Sequence, residues 1–297
     1  MSIEFLKYSK IYFILSGILI LASLSSIFIF GLEPGIDFTG GSILEMEYQN
    51  ERPDNQTVRE KLAGFDLGEI SIQPADEKGL ILRMKEVSEE VHQGIAASLT
   101  EENEAQELRF ESIGPVVGRE LREKTVIVIV LSLLAILFYI AVAFRKLSFP
   151  AKSWQYGFVS LAALFHDALI PMGIFSVLGR FYGIQITIPV IVALLTVLGY
   201  SINNTVVVFD RIRENLLKRA GNNYENTVNI SLNQTLARSI STSLTTLLVL
   251  LAIFFFGGET LKYFSLMLIL GIIAGTYSSF LLTSPLLVVW LKRQKRI

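Results

Sequence analysis

Leu194–Asn215 reads LLTVLGYSINNTVVVFDRIREN. Its first half is apolar enough for a lipid bilayer, and two adjacent amides, Asn203 and Asn204, followed by Thr205, interrupt it part-way along. It then leaves through Val206–Phe209 into the charged run Asp210, Arg211, Arg213 and Glu214. Hydrocarbon offers an amide no hydrogen-bond partner, so a helix with paired amides at that depth must turn them toward protein or water. The stretch is read as a membrane span with a polar face, and the rest of the chain follows from it.

The 297 residues are 52% hydrophobic and only 18% charged, with a mean hydropathy of +0.52. Apolar runs of span length cover Ile11–Phe30, Val126–Phe144, Trp154–Leu178, Ile184–Phe209, Ser239–Phe256 and Leu261–Trp290. The first is too long for a cleaved signal peptide and has no small-residue exit, so six spans are expected. Residues 210–238 read as a polar link of about thirty residues, in which Phe209–Arg219 is expected to lie on the membrane surface as an amphipathic helix. The absence of cysteine rules out a disulfide framework, a zinc-thiolate site or a thiol nucleophile. With only His92 and His166, a histidine-rich metal site is excluded as well.

Residues 31–122 differ in kind, with twenty Asp and Glu against nine Lys and Arg. A strand is expected over Ile36–Tyr48, a helix over Pro53–Leu62, and strands over Glu69–Gln73 and Leu80–Met84. A helix capped by Ser88 and a strand over Gln106–Ile113 complete the order β-α-β-β-α-β of a ferredoxin-like domain. The fold class is therefore an α-helical polytopic membrane protein with six transmembrane helices and an α+β ferredoxin-like domain between helices 1 and 2. The segments are 1–30, 31–122 and 123–297. Fourteen Lys and Arg flank one side of the spans, in the N-terminus, at Arg145, Lys146 and Lys152, in residues 210–238 and in the C-terminal tail. Arg180 and Lys262 are the basic residues of the opposite loops. The positive-inside rule then places both termini in the cytoplasm and the acidic domain outside, with Trp154 and Trp290 at the cytoplasmic interface.

Asp167, beside His166, sits near the middle of the third span, where a charged carboxylate costs at least ~2.5–3.5 kcal/mol. It is either a proton-carrying group or a hydrogen-bonded tie between helices. Gly199 and Asn203 share a face of the fourth span. The fifth begins with Arg238 and carries Ser239, Ser241, Thr242, Ser243, Thr245 and Thr246. A hydrated polar seam between the fourth and fifth spans, with Asp167 deeper on the third, is the expected arrangement. Gly271, Gly275 and Ser279 recur every fourth residue and permit close helix packing, within the chain or with a partner. Gly35–Gly41 lacks the Lys and Ser/Thr of a phosphate loop, and no nucleophile–base–acid set is present. The acidic domain would repel nucleic acid. Neither an enzyme nor a cofactor is expected.

GIDFTGGSILEM (35–46), AALFHDALIPMGIFSVLG (162–179), LTVLGYSINNTVVVFDRIREN (195–215) and NQTLARSISTSLTTLL (233–248) together resemble the SecF family of Sec translocase subunits, within the resistance-nodulation-division superfamily. The resemblance covers nearly the whole chain. It implies partnership with the homologous six-span SecD, association with the SecYEG channel and YajC, and contact with a translocating unfolded polypeptide and with membrane lipid. It further implies export and membrane insertion driven by the proton motive force across a prokaryotic inner membrane. It marks Asp37, Gly40 and Gly41 as the motif of the outer domain. It attributes proton transport to the position of Asn204, its counterpart in SecD and Arg238; with the polar seam read from the residues, the expected proton pathway comprises Asp167, His166, Asn203, Asn204, Thr205, Asp210, Arg238, Thr242 and Thr246. In the family an acid stands where this chain has Asn204, and an amide does not titrate at physiological pH. Either the SecD half or Asp167 then supplies the carboxylate, or the amide marks a transport-blocked variant or a scaffold subunit. A small-molecule or lipid exporter of the same superfamily is the alternative, against which the single small outer domain argues.

Overall fold

The computed structural model describes residues 3–75, 77–100, 105–145 and 151–294; Lys146 and residues 295–297 of the basic flanks lie outside them. α1 (Ser9–Phe30) leads through a one-turn helix α2 (Ile36–Thr39) into β1 (Gly41–Tyr48), α3 (Asn55–Leu62), β2 (Ser71–Ala75), β3 (Gly79–Met84), α4 (Glu89–Thr100) and β4 (Ala105–Ile113). α5 (Pro115–Phe144), α6 (Ser153–Tyr182), α7 (Ile188–Leu217), α8 (Tyr224–Phe256) and α9 (Glu259–Ser278) follow; a π turn (Ser279–Thr283) joins α9 to α10 (Ser284–Arg293). Two units form, one of Met1–Glu33 with Val128–Ile297 and one of Pro34–Ile127.

In the smaller unit the strands pair antiparallel in the order β2-β3-β1-β4, the ferredoxin-like sheet. Alternate residues Leu44, Met46 and Tyr48 of β1 and Leu80 and Leu82 of β3 face Val58 and Leu62 of α3 and Ile95 and Leu99 of α4. The first strand begins at Gly41, not at Ile36. Gly40 and Gly41 adopt φ of +74° and +128°, which ends α2 and lets the strand start only there. Asp54 caps α3, its Oδ1 accepting from the N–H groups of Gln56 and Thr57 at 2.8 Å. Those two N–H groups, Thr57 foremost, hold the Asp54 carboxyl below the usual range. Its cap therefore acts at neutral pH and is lost as the pH falls through that lowered value. Asp54→Ala is expected to speed amide exchange at Gln56 and Thr57 while leaving β1 protected.

Among the described residues, six helical segments are long and apolar enough to cross a membrane: α1 with the turn before it, α5, α6, α7, α8, and α9 through α10. The third and sixth are the most enclosed, 50% and 61% buried against 6% for α5. α1 is apolar outward and polar inward: its buried residues are Ser16, Ser23 and Ser26. Ser26 Oγ donates to Gly173 O at 3.0 Å, and Ser176 Oγ donates to Ser26 O at 2.9 Å, so hydroxyls and a glycine bring α1 against α6.

Two boundaries depart from the sequence reading. α5 starts at Pro115, where proline suits the first helical turn, and runs without a break through residue 122. α7 runs on to Leu217, and α8 begins at Tyr224 under an Asn223 cap, so the thirty-residue link shrinks to residues 218–223. No separate surface helix forms over 209–219. Ile212 is fully buried with Val228 and Leu232, and Asn215 Nδ2 donates to Ser231 Oγ and Gln234 Oε1, both at 2.8 Å. A stretch too polar for a bilayer becomes helical because it pairs with the end of α7. Arg219 closes α7 at φ +53°, with Ala220 N–H reaching back to Asn215 O at 3.0 Å.

Candidate functional site

Asp167 is fully buried in α6. Its Oδ2 accepts from Ser201 Oγ on α7 at 2.5 Å and from Ser278 Oγ on α9 at 2.6 Å. Its Oδ1 lies 2.8 Å from His166 Nδ1. Two hydroxyls and an imidazole thus converge on one carboxyl group, an arrangement that makes a buried acid tolerable. With Nδ1 turned to Asp167, Nε2 is the nitrogen left to exchange a proton, and it has no partner among the described residues. Tyr277 stacks on the imidazole at 5.8 Å and 17° and is held through its hydroxyl to Tyr12 O at 3.0 Å.

The small-residue ladder of the sixth span is what lets α7 and α9 close over this acid. A Cβ on Gly271 would come within 2.2 Å of the Val197 side chain, and one on Gly275 within 3.1 Å of Ser201. That face is therefore used inside the chain. The π turn gives its stretch one extra residue per turn, and Ser278 and Ser279 are both fully buried, the first on Asp167 and the second on Thr205 at 3.2 Å.

The other residues of the expected seam separate. Asn204 and Thr205 turn inward, and Asn204 Nδ2 is buried without a partner among the described residues. Asn203 is exposed. Arg238 and Asp210 are also exposed, and together with Val207, Arg211, Glu214, Gln234 and Thr235 they line an open cavity of about 170 Å³ between α7 and α8. Arg211 is paired with Glu214 at 2.7 Å, whereas Arg238 makes no ion pair among the described residues. Thr242 is exposed and Thr246 half-buried; both hydroxyls bond back to their own helix, at Arg238 O and Thr242 O. Ser239 and Ser243 are the buried hydroxyls among those expected on the fifth span, and Ser243 bridges Tyr200 at 3.1 Å and Thr276 at 2.8 Å.

The expected single seam of the third, fourth and fifth spans is thus two features. One is a buried acid centre of the third, fourth and sixth; the other is an open polar face of the fourth and fifth. Helical period divides them: 201, 204, 205 and 208 point inward, while 199, 203 and 210 point outward. Sequence reasoning missed Ser201 and Ser278. Ser201 stood two residues before the amides, and Ser278 was hidden by a ladder counted in fours through Ser279.

In the smaller unit, Asp37 lies in the first turn of α2. A Cβ on Gly40 would meet Pro115 Cα at 2.9 Å, and one on Gly41 would meet Met84 O at 2.8 Å. The glycine pair is thus required by both backbone angle and close approach.

Residues 94–293 match the family described as Protein export membrane protein SecD/SecF, C-terminal, and residues 25–51 match the SecD/SecF GG motif. Protein translocase subunit SecF of Thermobaculum terrenum is 40% identical, over 97% of this chain and 94% of its own length. The subunit of the same name from Synechocystis sp. is 35% identical, over 98% and 95%. The crystal structure of SecDF, a translocon-associated membrane protein from Thermus thermophilus, superposes with a TM-score of 0.84 at 34% identity. The match covers 99% of this chain and 39% of the SecDF chain.

Proposed function

This chain belongs to the SecD/SecF family of protein-export membrane proteins, and we propose that it is the SecF-type half of an accessory unit of the Sec translocase, completed by a SecD-type half. The observation that carries the pairing is the open polar face: Asn203, Asp210, Gln234, Arg238 and Thr242 are exposed on helices of membrane-spanning length. Lipid cannot satisfy the Asn203 amide within the span, so a second polar helical surface covers it and continues over Arg238 at the span's edge. Gly199 lies on the same side of α7 with nothing within 4 Å of a Cβ, which leaves room for close approach of a partner helix.

In this reading both termini are cytoplasmic, the ferredoxin-like domain of residues 31–122 lies outside the inner membrane, and the unit serves the SecYEG channel, with YajC as a further associate. The outer domain handles the emerging unfolded polypeptide. Protons crossing the polar face and Asp167 supply the work, ~2.3 kcal/mol per charge for each 100 mV. Asn204 cannot titrate, so Asp167 or the partner half provides the acid.

Arg238→Glu and Gly199→Leu alter exposed positions and are expected to leave folding unchanged, since surface changes shift stability by about 0.5 kcal/mol or less. Both are expected to reduce copurification with the SecD-type chain at least tenfold and to slow export of a secreted reporter as depletion does. Unchanged copurification with both variants would refute the assignment of this face.

A further inference from the structure

Polar side chains continue past Asp167 on every helix that encloses it, toward the end of the bundle where Trp154 and Trp290 stack edge to face at 5.2 Å. On α7, Asn204 and Thr205 follow Ser201 by about 5–6 Å along the axis. On the sixth span, Thr283 and Ser284 follow Ser278 by about 8–9 Å. On α6, Ser160 precedes Asp167 by two turns, about 10 Å along the same face. All five are buried, and the π turn that carries Thr283 packs against both α6 and α7.

Two of the five are satisfied: Thr205 bonds Ser279 at 3.2 Å, and Thr283 Oγ1 donates to Ser279 O at 2.8 Å. Ser160 Oγ, Asn204 Nδ2 and Ser284 Oγ have no partner among the described residues, and neither has His166 Nε2 at the head of the column. An unpaired buried polar group costs about 1–3 kcal/mol, and a native fold tolerates few of them. Three on adjoining turns of α6, α7 and the sixth span, in a core that could have used Ala and Leu, indicate a ligand with small size and both donor and acceptor capacity.

We propose that this column is a water-binding site within the subunit. Waters ligated by Ser160, Asn204 and Ser284 form a file between the Trp154–Trp290 end of the bundle and the Asp167–His166 pair. A proton entering the file passes from water to water, each accepting one and releasing one, and ends on Nε2 of His166 or on Asp167; the reverse sequence returns it. This rests on reading Asp167 as a protonatable group, and it gives that group a route through the body of the chain, separate from the open face at Arg238.

With only two histidines, ¹⁵N-histidine-labelled full-length protein gives two imidazole systems, and His92→Gln identifies that of His166. Exchange of the His166 ring proton with deuterated solvent is expected to slow at least tenfold in Ser160→Leu or Ser284→Leu, which fill the file. Thr245→Leu, on the exposed side of α8, is expected to leave it unchanged. Unchanged exchange in both filled variants, or slowing in Thr245→Leu, overturns the proposal. Should the filled variants not fold, a density map of the unaltered protein near 2 Å decides: waters bridging Ser160, Asn204 and Ser284 support the file, and hydroxyls bonded back to their own helices without water overturn it. Neither measurement uses a gradient or a partner, so failure here leaves the pairing with a SecD-type chain standing, and loss of that pairing leaves the file standing.

Discussion

Gly173→Val is expected to abolish accumulation of folded protein, whereas Gly17→Val, on the neighbouring α1, is expected to be nearly neutral. A Cβ at 173 would stand 2.5 Å from Ser23 Cα and 2.4 Å from Ser23 Cβ, atoms that no change of rotamer moves. Overpacking of a tight contact costs about 1–3 kcal/mol where side chains can yield, and more where backbone must shift. Separating the helices would also break the bond from Ser26 Oγ to Gly173 O. At Gly17 a Cβ meets nothing within 4 Å. The yield of monodisperse protein in detergent and its midpoint of thermal unfolding check the pair. Equal stability of the two variants would mean that α1 is not held by this crossing.

The second large effect is expected at Asp167. Asp167→Leu removes the acceptor for Ser201 and Ser278 and strands both hydroxyls in the core, at about 1–3 kcal/mol for each unsatisfied group. It is expected to lower the unfolding midpoint strongly. Asp167→Asn keeps an oxygen for the serines and is expected to fold with a stability near that of the parent. The asparagine variant then separates the two roles of the acid. If Asp167 carries protons, export loses its response to the proton motive force while the protein remains folded. If export keeps that response, Asp167 is a structural tie and the titrating group belongs to the partner half.

Much of this was legible in the chain. Runs of twenty apolar residues locate six spans because the bilayer sets a minimum helix length. The alternation toward a strand before Tyr48 and the capping Ser88 reveal the ferredoxin-like order because strand and cap chemistry is local. The GG turn was visible as a motif, but its second reason, the closeness of Pro115 and Met84, was not. Where the reading went astray, the determining contacts lie far apart in sequence. Residues 224–238 look like a loop until Asn215 and Ile212 supply a partner helix for them.

The acid at 167, the amides at 203 and 204 and the arginine at 238 were all marked by their chemistry, since a polar group in a membrane span needs a partner wherever it lies. Composition and spacing therefore settled that this is a six-span membrane protein with a small ferredoxin-like domain, and that its spans hold polar residues. Only the tertiary structure decided how those residues are divided. Helical phase turns Asn203 outward and Asn204 inward, and close crossings at Gly271 and Gly275 bring Ser201 and Ser278 rather than the fifth-span hydroxyls onto Asp167. One residue of helix rotates a side chain by about 100°. Neighbouring residues thus face different surroundings, and which helix crosses closely enough to meet each face is decided by contacts far apart in sequence.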